Sequence, residues 1–191
     1  EVQISSPRMA AEMGIATVYQ EPLLYLELTV VENIFMGREI RGRLGAIDYA
    51  AQRKRAQELF QAVGIDPDFL DRRVSELTIG QAQLVLMARA LAFDAKVMIF
   101  DEPTAILTQH EAARLFEIIR RLKEQGVGII YISHRLQEIF ELTDRVTVMR
   151  DGEVRGTFDT ASITEDRIIE LMAGRSLHRL KRRAKRHGQA P

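Results

Sequence analysis

Residues 96–104 read KVMIFDEPT: an apolar run that ends in two adjacent carboxylates and a proline. Unbroken apolar runs of this length, rich in branched side chains, are the mark of strands buried on both faces. Residues 14–20 (GIATVYQ), 129–132 (IIYI) and 146–149 (VTVM) have the same character. Helical patterns separate these runs, and buried strands alternating with helices predict an α/β domain. After Thr108 the apolar residues Ala112, Leu115, Ile119 and Leu122 fall on one helical face, Glu111 completes a capping box with Thr108, and Gly126 supplies a stop.

The stretch from Thr29 to about Ala92 predicts a mostly helical insert between two strand regions. Thr29 with Glu32 and Thr78 with Gln81 have capping-box spacing, and residues 48–63 show helical periodicity. Ile168, Ile169, Leu171 and Met172 predict a last short helix. From Arg175 to Arg186 there are seven basic residues and no acidic one, which predicts a disordered tail. One domain over residues 1–174 and a tail over 175–191 is the organisation expected.

Composition narrows the possibilities. A hydrophobic share of 46% among 191 residues is enough to bury an ordinary core. Formal net charge is zero, so the whole-chain balance selects neither nucleic acid nor a charged membrane surface as partner. With no cysteine there is no disulfide framework and no thiolate metal site, which fits a cytoplasmic setting. No apolar stretch reaches the roughly 18 to 20 residues of a spanning helix, and residues 1–7 lack the pattern of a secretory signal. The chain begins at Glu1 rather than Met and reads as if from the middle of a domain, so its N-terminus is expected to be a cut edge.

Four places carry chemistry. In open α/β sheets ligands bind beyond the carboxyl ends of strands, so Asp101 and Glu102 are delivered to where a nucleotide would sit. Neighbouring residues of an extended strand point oppositely, which aims one carboxylate at a hydrated magnesium ion and the other at water. An isolated DEP tripeptide reads as a strand end and polar turn; the apolar run before it and the motifs around it change that reading. Residues 129–135 (IIYISHR) end another buried strand in Ser133 and His134 just before a helical stretch, where an imidazole can donate to a phosphate oxygen. Alone, His134 reads as a capping or surface histidine. Gln20 ends its own strand, where an uncharged amide could ligate magnesium or orient water. Residues 77–83 (LTIGQAQ) form a small, hydroxyl-bearing turn into a helix, and its N–H groups, Thr78 and Gly80 suit an anion. Taken alone, that composition reads as a capped helix without a ligand, since Thr78 with Gln81 already explains it.

Taken together, the order and spacing of Gln20, LTIGQ, KVMIFDEPT and ISHR resemble the ATP-binding subunits of ABC transporters, from about Ser6 to Arg175. The resemblance identifies Gln20 with the Q-loop, and Leu77, Thr78, Ile79, Gly80 and Gln81 with the signature motif. It identifies residues 97–101 with the Walker B strand, Glu102 with the carboxylate that follows it, residues 105–108 with the D-loop, and His134 with the switch histidine. It implies a P-loop NTPase-like fold whose helical insert bears the signature, with ATP and Mg2+ as cofactors. Asp101 and Gln20 would serve the metal and Glu102 and His134 the catalysis. The phrases GIATVYQEPLL, TVVENIFMGRE, DEPTAILT and ISHRLQEIFELTDRVTVMRDGE are most similar to the first half of the two-domain subunits serving ribose, galactose, xylose and similar sugars. Implied partners are transmembrane permease subunits, a second nucleotide-binding domain and, indirectly, a periplasmic sugar-binding protein, at the cytoplasmic face of the membrane, with no specific nucleic acid.

The chain also departs from that pattern. No G-x-x-x-x-G-K-[ST] occurs in it, so the phosphate-binding (Walker A) loop, the first strands and the helix after the loop are expected to be missing from a partial domain. Ile79 replaces a glycine of the signature, Ile106 stands where a smaller residue is usual, and the basic tail lies where a second half would begin. A non-enzymatic remnant or interaction module is therefore the alternative to an ATP hydrolase, which without its loop is expected to be inactive alone. A soluble ATPase of this type acting on nucleic acid has only the tail in its favour.

Overall fold

Three parallel strands, β1 (Ile15–Val18), β2 (Val97–Asp101) and β3 (Gly128–Ile132), lie side by side in the order β1-β2-β3. The computed structural model describes residues 3–19, 23–62, 64–92 and 95–174, and the chain separates into two units, Glu1–His134 and Arg135–Pro191. In the first unit α1 (Pro7–Glu12) precedes the sheet, started by Ser6, whose side chain accepts from the Met9 N–H, and by Pro7 in its first turn.

The crossover from β1 to β2 carries the helical insert: α2 (Val30–Phe35), α3 (Tyr49–Ala62) and α4 (Ile79–Ala92), with short 3-10 turns at Pro67–Phe69 and Val74–Glu76. Both elements of the Thr29–Glu32 capping box are present. The three helices pack on one another around Val30, Ile34, Phe60, Leu70, Val85 and Met87, each at most 1% exposed. Asn33 is buried among them. Its side chain accepts from the Tyr25 N–H (2.8 Å) and donates to the Tyr25 and Thr29 carbonyls (both 2.9 Å), which ties the segment before α2 to the insert and satisfies a polar group that would be costly unpaired.

The crossover from β2 to β3 is α5 (Gln109–Glu124), with its Thr108–Glu111 capping box complete and Leu115, Phe116, Ile118, Ile119 and Leu122 buried. Strand register puts Ala16, Val18, Met98, Phe100, Ile129 and Tyr131 on one face of the sheet. There the Tyr131 ring meets Phe100 at 6.3 Å and the Phe116 ring of α5 at 6.5 Å.

The second unit holds α6 (Leu136–Leu142), β4 (Arg145–Arg150), β5 (Glu153–Asp159), a 3-10 turn at Thr160–Ser162 and α7 (Glu165–Ala173). β4 and β5 form an antiparallel hairpin turned by Asp151 and Gly152, both with positive φ (55° and 75°), the geometry of a two-residue hairpin turn. The predicted strand over 146–149 is β4 and the predicted last helix is α7, whereas β5 and α1 were not anticipated from the sequence. The basic tail of residues 175–191 lies outside the described residues. Among the described residues no helix is long and apolar enough to cross a membrane.

Candidate functional site

Asp101 is the last residue of β2, and its register partner is Ile132 at the end of β3. The Glu102 N–H continues the ladder by donating to the Ile132 carbonyl at 3.0 Å, so the chain is still held to β3 when it leaves the sheet. It leaves abruptly. Glu102 has φ 45°, a left-handed conformation that costs a non-glycine residue about 1 to 3 kcal/mol, so the surrounding structure must impose it. The expectation that strand alternation separates the two carboxylates is corrected here: Asp101 is extended, Glu102 is not, and the turn sets where the second carboxylate goes. That turn is closed by the Ala105 N–H on the Glu102 carbonyl and the Leu107 N–H on the Thr104 carbonyl, both at 3.2 Å.

His134 stands two residues beyond the end of β3, and its Nδ1 lies 3.2 Å from Glu102 Oε1. The imidazole is exposed and the carboxylate partly so. His134 lies just before α6, as the sequence predicts, with Arg135 as the cap residue and Leu136 the first residue of the helix. The Glu102 carboxylate is the acidic group beside His134. Asp101, Glu102 and His134 thus form one cluster at the carboxyl ends of two adjacent parallel strands. Gln20, the remaining residue expected there, lies outside the described residues.

Leu77, Thr78, Ile79, Gly80 and Gln81 form a different cluster, at the N-terminus of α4. The Thr78 N–H donates to Gln81 Oε1 (3.0 Å) and the Gln81 N–H to Thr78 Oγ1 (3.2 Å), the reciprocal bonds that the spacing predicts. Leu77 ends the preceding 3-10 turn and is half-buried, Thr78 is exposed, Ile79 is 51% exposed, and Gly80 is buried. The Ile79 side chain, at the position where the resemblance expects a glycine, is thus half in solvent. Glu111 of α5 reaches this turn, a contact the sequence reading did not anticipate. A capping box was legible there, but not that its acid also meets a second helix.

Among the described residues no group of three or more metal-ligating side chains converges. Magnesium held through water and phosphate needs only one or two carboxylates, and Asp101, half-buried at a strand end, suits that mode. A cavity of about 990 Å³ opens beside α1, β1 and α4, lined in part by Tyr19, Leu23, Tyr25 and Met36.

Residues 2–105 match the family described as ABC transporter. The chain is 47% identical over 172 residues to the ribose import ATP-binding protein RbsA of Lactococcus lactis subsp. cremoris, covering 90% of this chain and 35% of that protein. It is 43% identical over 179 residues to a ribose/galactose/methyl galactoside import ATP-binding protein of Hahella chejuensis, whose name is qualified as putative, covering 94% and 35%. The chain thus spans about a third of the length of these relatives. In fold it is similar to an ATP-binding cassette of an ABC transporter in its ADP conformation (TM-score 0.72, 24% identity, 87% of this chain and 71% of that one). It is likewise similar to cbiO1 of Clostridium perfringens, part of the ABC transporter complex cbiONQ (TM-score 0.69, 24% identity, 87% and 66%).

Proposed function

We propose that this chain, which belongs to the ABC transporter family and has the fold of its ATP-binding cassettes, contributes ATP hydrolysis to the import of a sugar of the ribose or galactose class. The observation that carries the reading is the cluster of Asp101, Glu102 and His134 at the carboxyl ends of β2 and β3. The identities of 47% and 43% to sugar-import proteins support the substrate class.

In this reading each residue has a role. Asp101 holds magnesium through water. Glu102 acts as general base or orients the attacking water, and His134, beside it, stabilises charge on the γ-phosphate. Gln20 serves the metal or the water. The bound nucleotide and metal supply the phosphoryl group and neutralise its charge. Thr78 and Gly80 offer a hydroxyl and an N–H to a phosphate bound on a second nucleotide-binding domain. Permease subunits, through them a periplasmic sugar-binding protein, and the cytoplasmic face of the membrane complete the setting.

A second reading, a non-enzymatic interaction module, has one observation in its favour: residues 1–191 hold no phosphate-binding loop motif. In the hydrolase reading that loop comes from outside these residues. Three missing charge-assisted hydrogen bonds of about 1.5 kcal/mol or more each weaken ATP binding by about a thousandfold or more, so residues 1–191 alone bind ATP weakly and turn it over negligibly. Joined to a segment bearing the loop, they hydrolyse ATP, and Glu102→Gln removes about 10² to 10⁴-fold of turnover while ATP stays bound. His134→Ala lowers turnover more than affinity. Near-normal turnover in Glu102→Gln overturns the assigned role; no turnover in the joined protein favours the module.

A further inference from the structure

Glu111 is the third residue of α5, and its two carboxylate oxygens face different helices. Oε2 accepts from the Thr108 N–H (2.9 Å) and the Thr108 hydroxyl (2.8 Å), which starts α5. Oε1 is the atom nearest to where a β-carbon on Gly80 would stand. Such a β-carbon would lie 2.7 Å from Glu111 Cδ and 2.9 Å from Cγ, and the three nearest atoms there all belong to Glu111. A side chain at position 80 would therefore have to displace the Glu111 carboxylate, and Gly80 is not held at positive φ. The Thr108 N–H and hydroxyl hold the Glu111 carboxyl below its ordinary range, and the Gly80 N–H and Thr78 hydroxyl act in the same direction. One anion thus serves the positive ends of two helices, α4 of 14 residues and α5 of 16.

The connection continues to the first cluster. From Thr108 back to Glu102 the chain is two successive tight turns, so the carboxylate beside His134 and the anchor of Glu111 are separated by five residues with little slack. We propose that Glu111 is a positioning residue that fixes the Thr78–Gly80 turn to the start of α5, and through residues 103–108 to Glu102. Its use in ATP chemistry rests on the function proposed above; the contact itself does not. Glu111 then sets where the Thr78–Gly80 turn stands relative to α5, and a displacement of the turn is felt at Glu102. A residue that only caps α5 would leave Gly80 untouched, which separates the two roles.

The test uses the 191-residue chain labelled with 15N at glycine and threonine, without nucleotide. In Glu111→Gln the Gly80 amide signal moves and its hydrogen exchange accelerates by about tenfold, as expected when a charged carboxylate packed against that amide is replaced by a neutral amide. Glu111→Asp, one methylene shorter, keeps a carboxylate near Thr108 but leaves Gly80 shifted. Gly80→Ala is the reciprocal probe: its methyl displaces Glu111, so exchange at the Thr108 amide accelerates although the substitution is on α4. An unmoved Gly80 signal in Glu111→Gln overturns the proposal. Should that variant not fold, an unmoved Thr108 amide in Gly80→Ala overturns it. Because no nucleotide is present, failure of the ATP reading would leave these outcomes unchanged.

Discussion

β2 and β3 are neighbours with near-equal apolar content, VMIFD against GIIYI, yet they are buried very differently. Met98 and Phe100 of β2 are 0% exposed, whereas Ile130 and Ile132 of β3 are 50% and 47% exposed. The difference follows the faces of the sheet. Phe100 and Tyr131 share the face that α5 covers, and Ile130 and Ile132 share the other with Val97 and Ile99. β3 also pairs only with β2 among the described residues. Parallel sheets are ordinarily covered on both faces, so an apolar run reports that a strand is built for burial, not that its cover is at hand.

The comparison is broken most directly by truncating one residue on each face. Phe100→Ala should cost about 3 to 5 kcal/mol, the usual loss for a fully buried phenylalanine, and leave little folded protein at 37 °C. Ile130→Ala should cost less than about 1 kcal/mol, because half of its surface is already in water. Urea unfolding followed by circular dichroism measures both, and equal costs would show that the second face is covered in solution.

An exposed apolar face beside an unpaired strand edge is a template for self-association, so the chain should sediment as more than a monomer at micromolar concentration. Ile130→Lys with Ile132→Lys should restore the monomer with little loss of secondary structure. A clean monomer before substitution, unfolding sharply above about 60 °C, would mean that the chain is self-sufficient.

Much of this was legible in the sequence because local chemistry decided it. The capping boxes of Thr29, Thr78 and Thr108 form as their spacing predicts, and each predicted strand run contains a strand. The α/β class and the family resemblance follow from the same runs. Three things were not legible, each set by contacts distant in sequence or by a local turn. β5 follows the Asp151–Gly152 turn, but its own run, EVRGTFD, is broken by Gly156 and has few apolar residues to mark a strand. The direction of Glu102 depends on a left-handed residue that strand alternation does not predict. Glu111 meets Gly80 across 31 positions of chain, and spacing within α5 carries no trace of it.

A smaller effect concerns α5, the helix that covers the buried face. Thr108→Ala removes its cap hydroxyl and should cost about 1 kcal/mol, read as a lower midpoint in the same urea experiment. The cost should fall on the covered face and leave association through Ile130 and Ile132 unchanged.

The smallest effect expected is a pH dependence carried by Glu111. The Thr108 N–H and hydroxyl lower its folded-state pKa below the ordinary 4.5, with Gly80 and Thr78 adding to them. Unfolded, the carboxyl returns to its ordinary value and so binds a proton more readily than the folded chain does. Stability therefore rises with pH across the interval between the two values. The contribution is complete above about 4.5 and is lost as pH falls from there through the lower, folded value. Glu111→Gln carries no titrating group at this position, so its stability should change less between pH 6 and the acid end of that window. The comparison is a difference of differences: urea midpoints of both proteins at pH 6 and at about pH 4, where the wild-type chain should give up part of its advantage. An unchanged advantage on acidification would mean that the carboxylate is not held by the two helix ends, and that α5 covers β2 and β3 without help from its first turn.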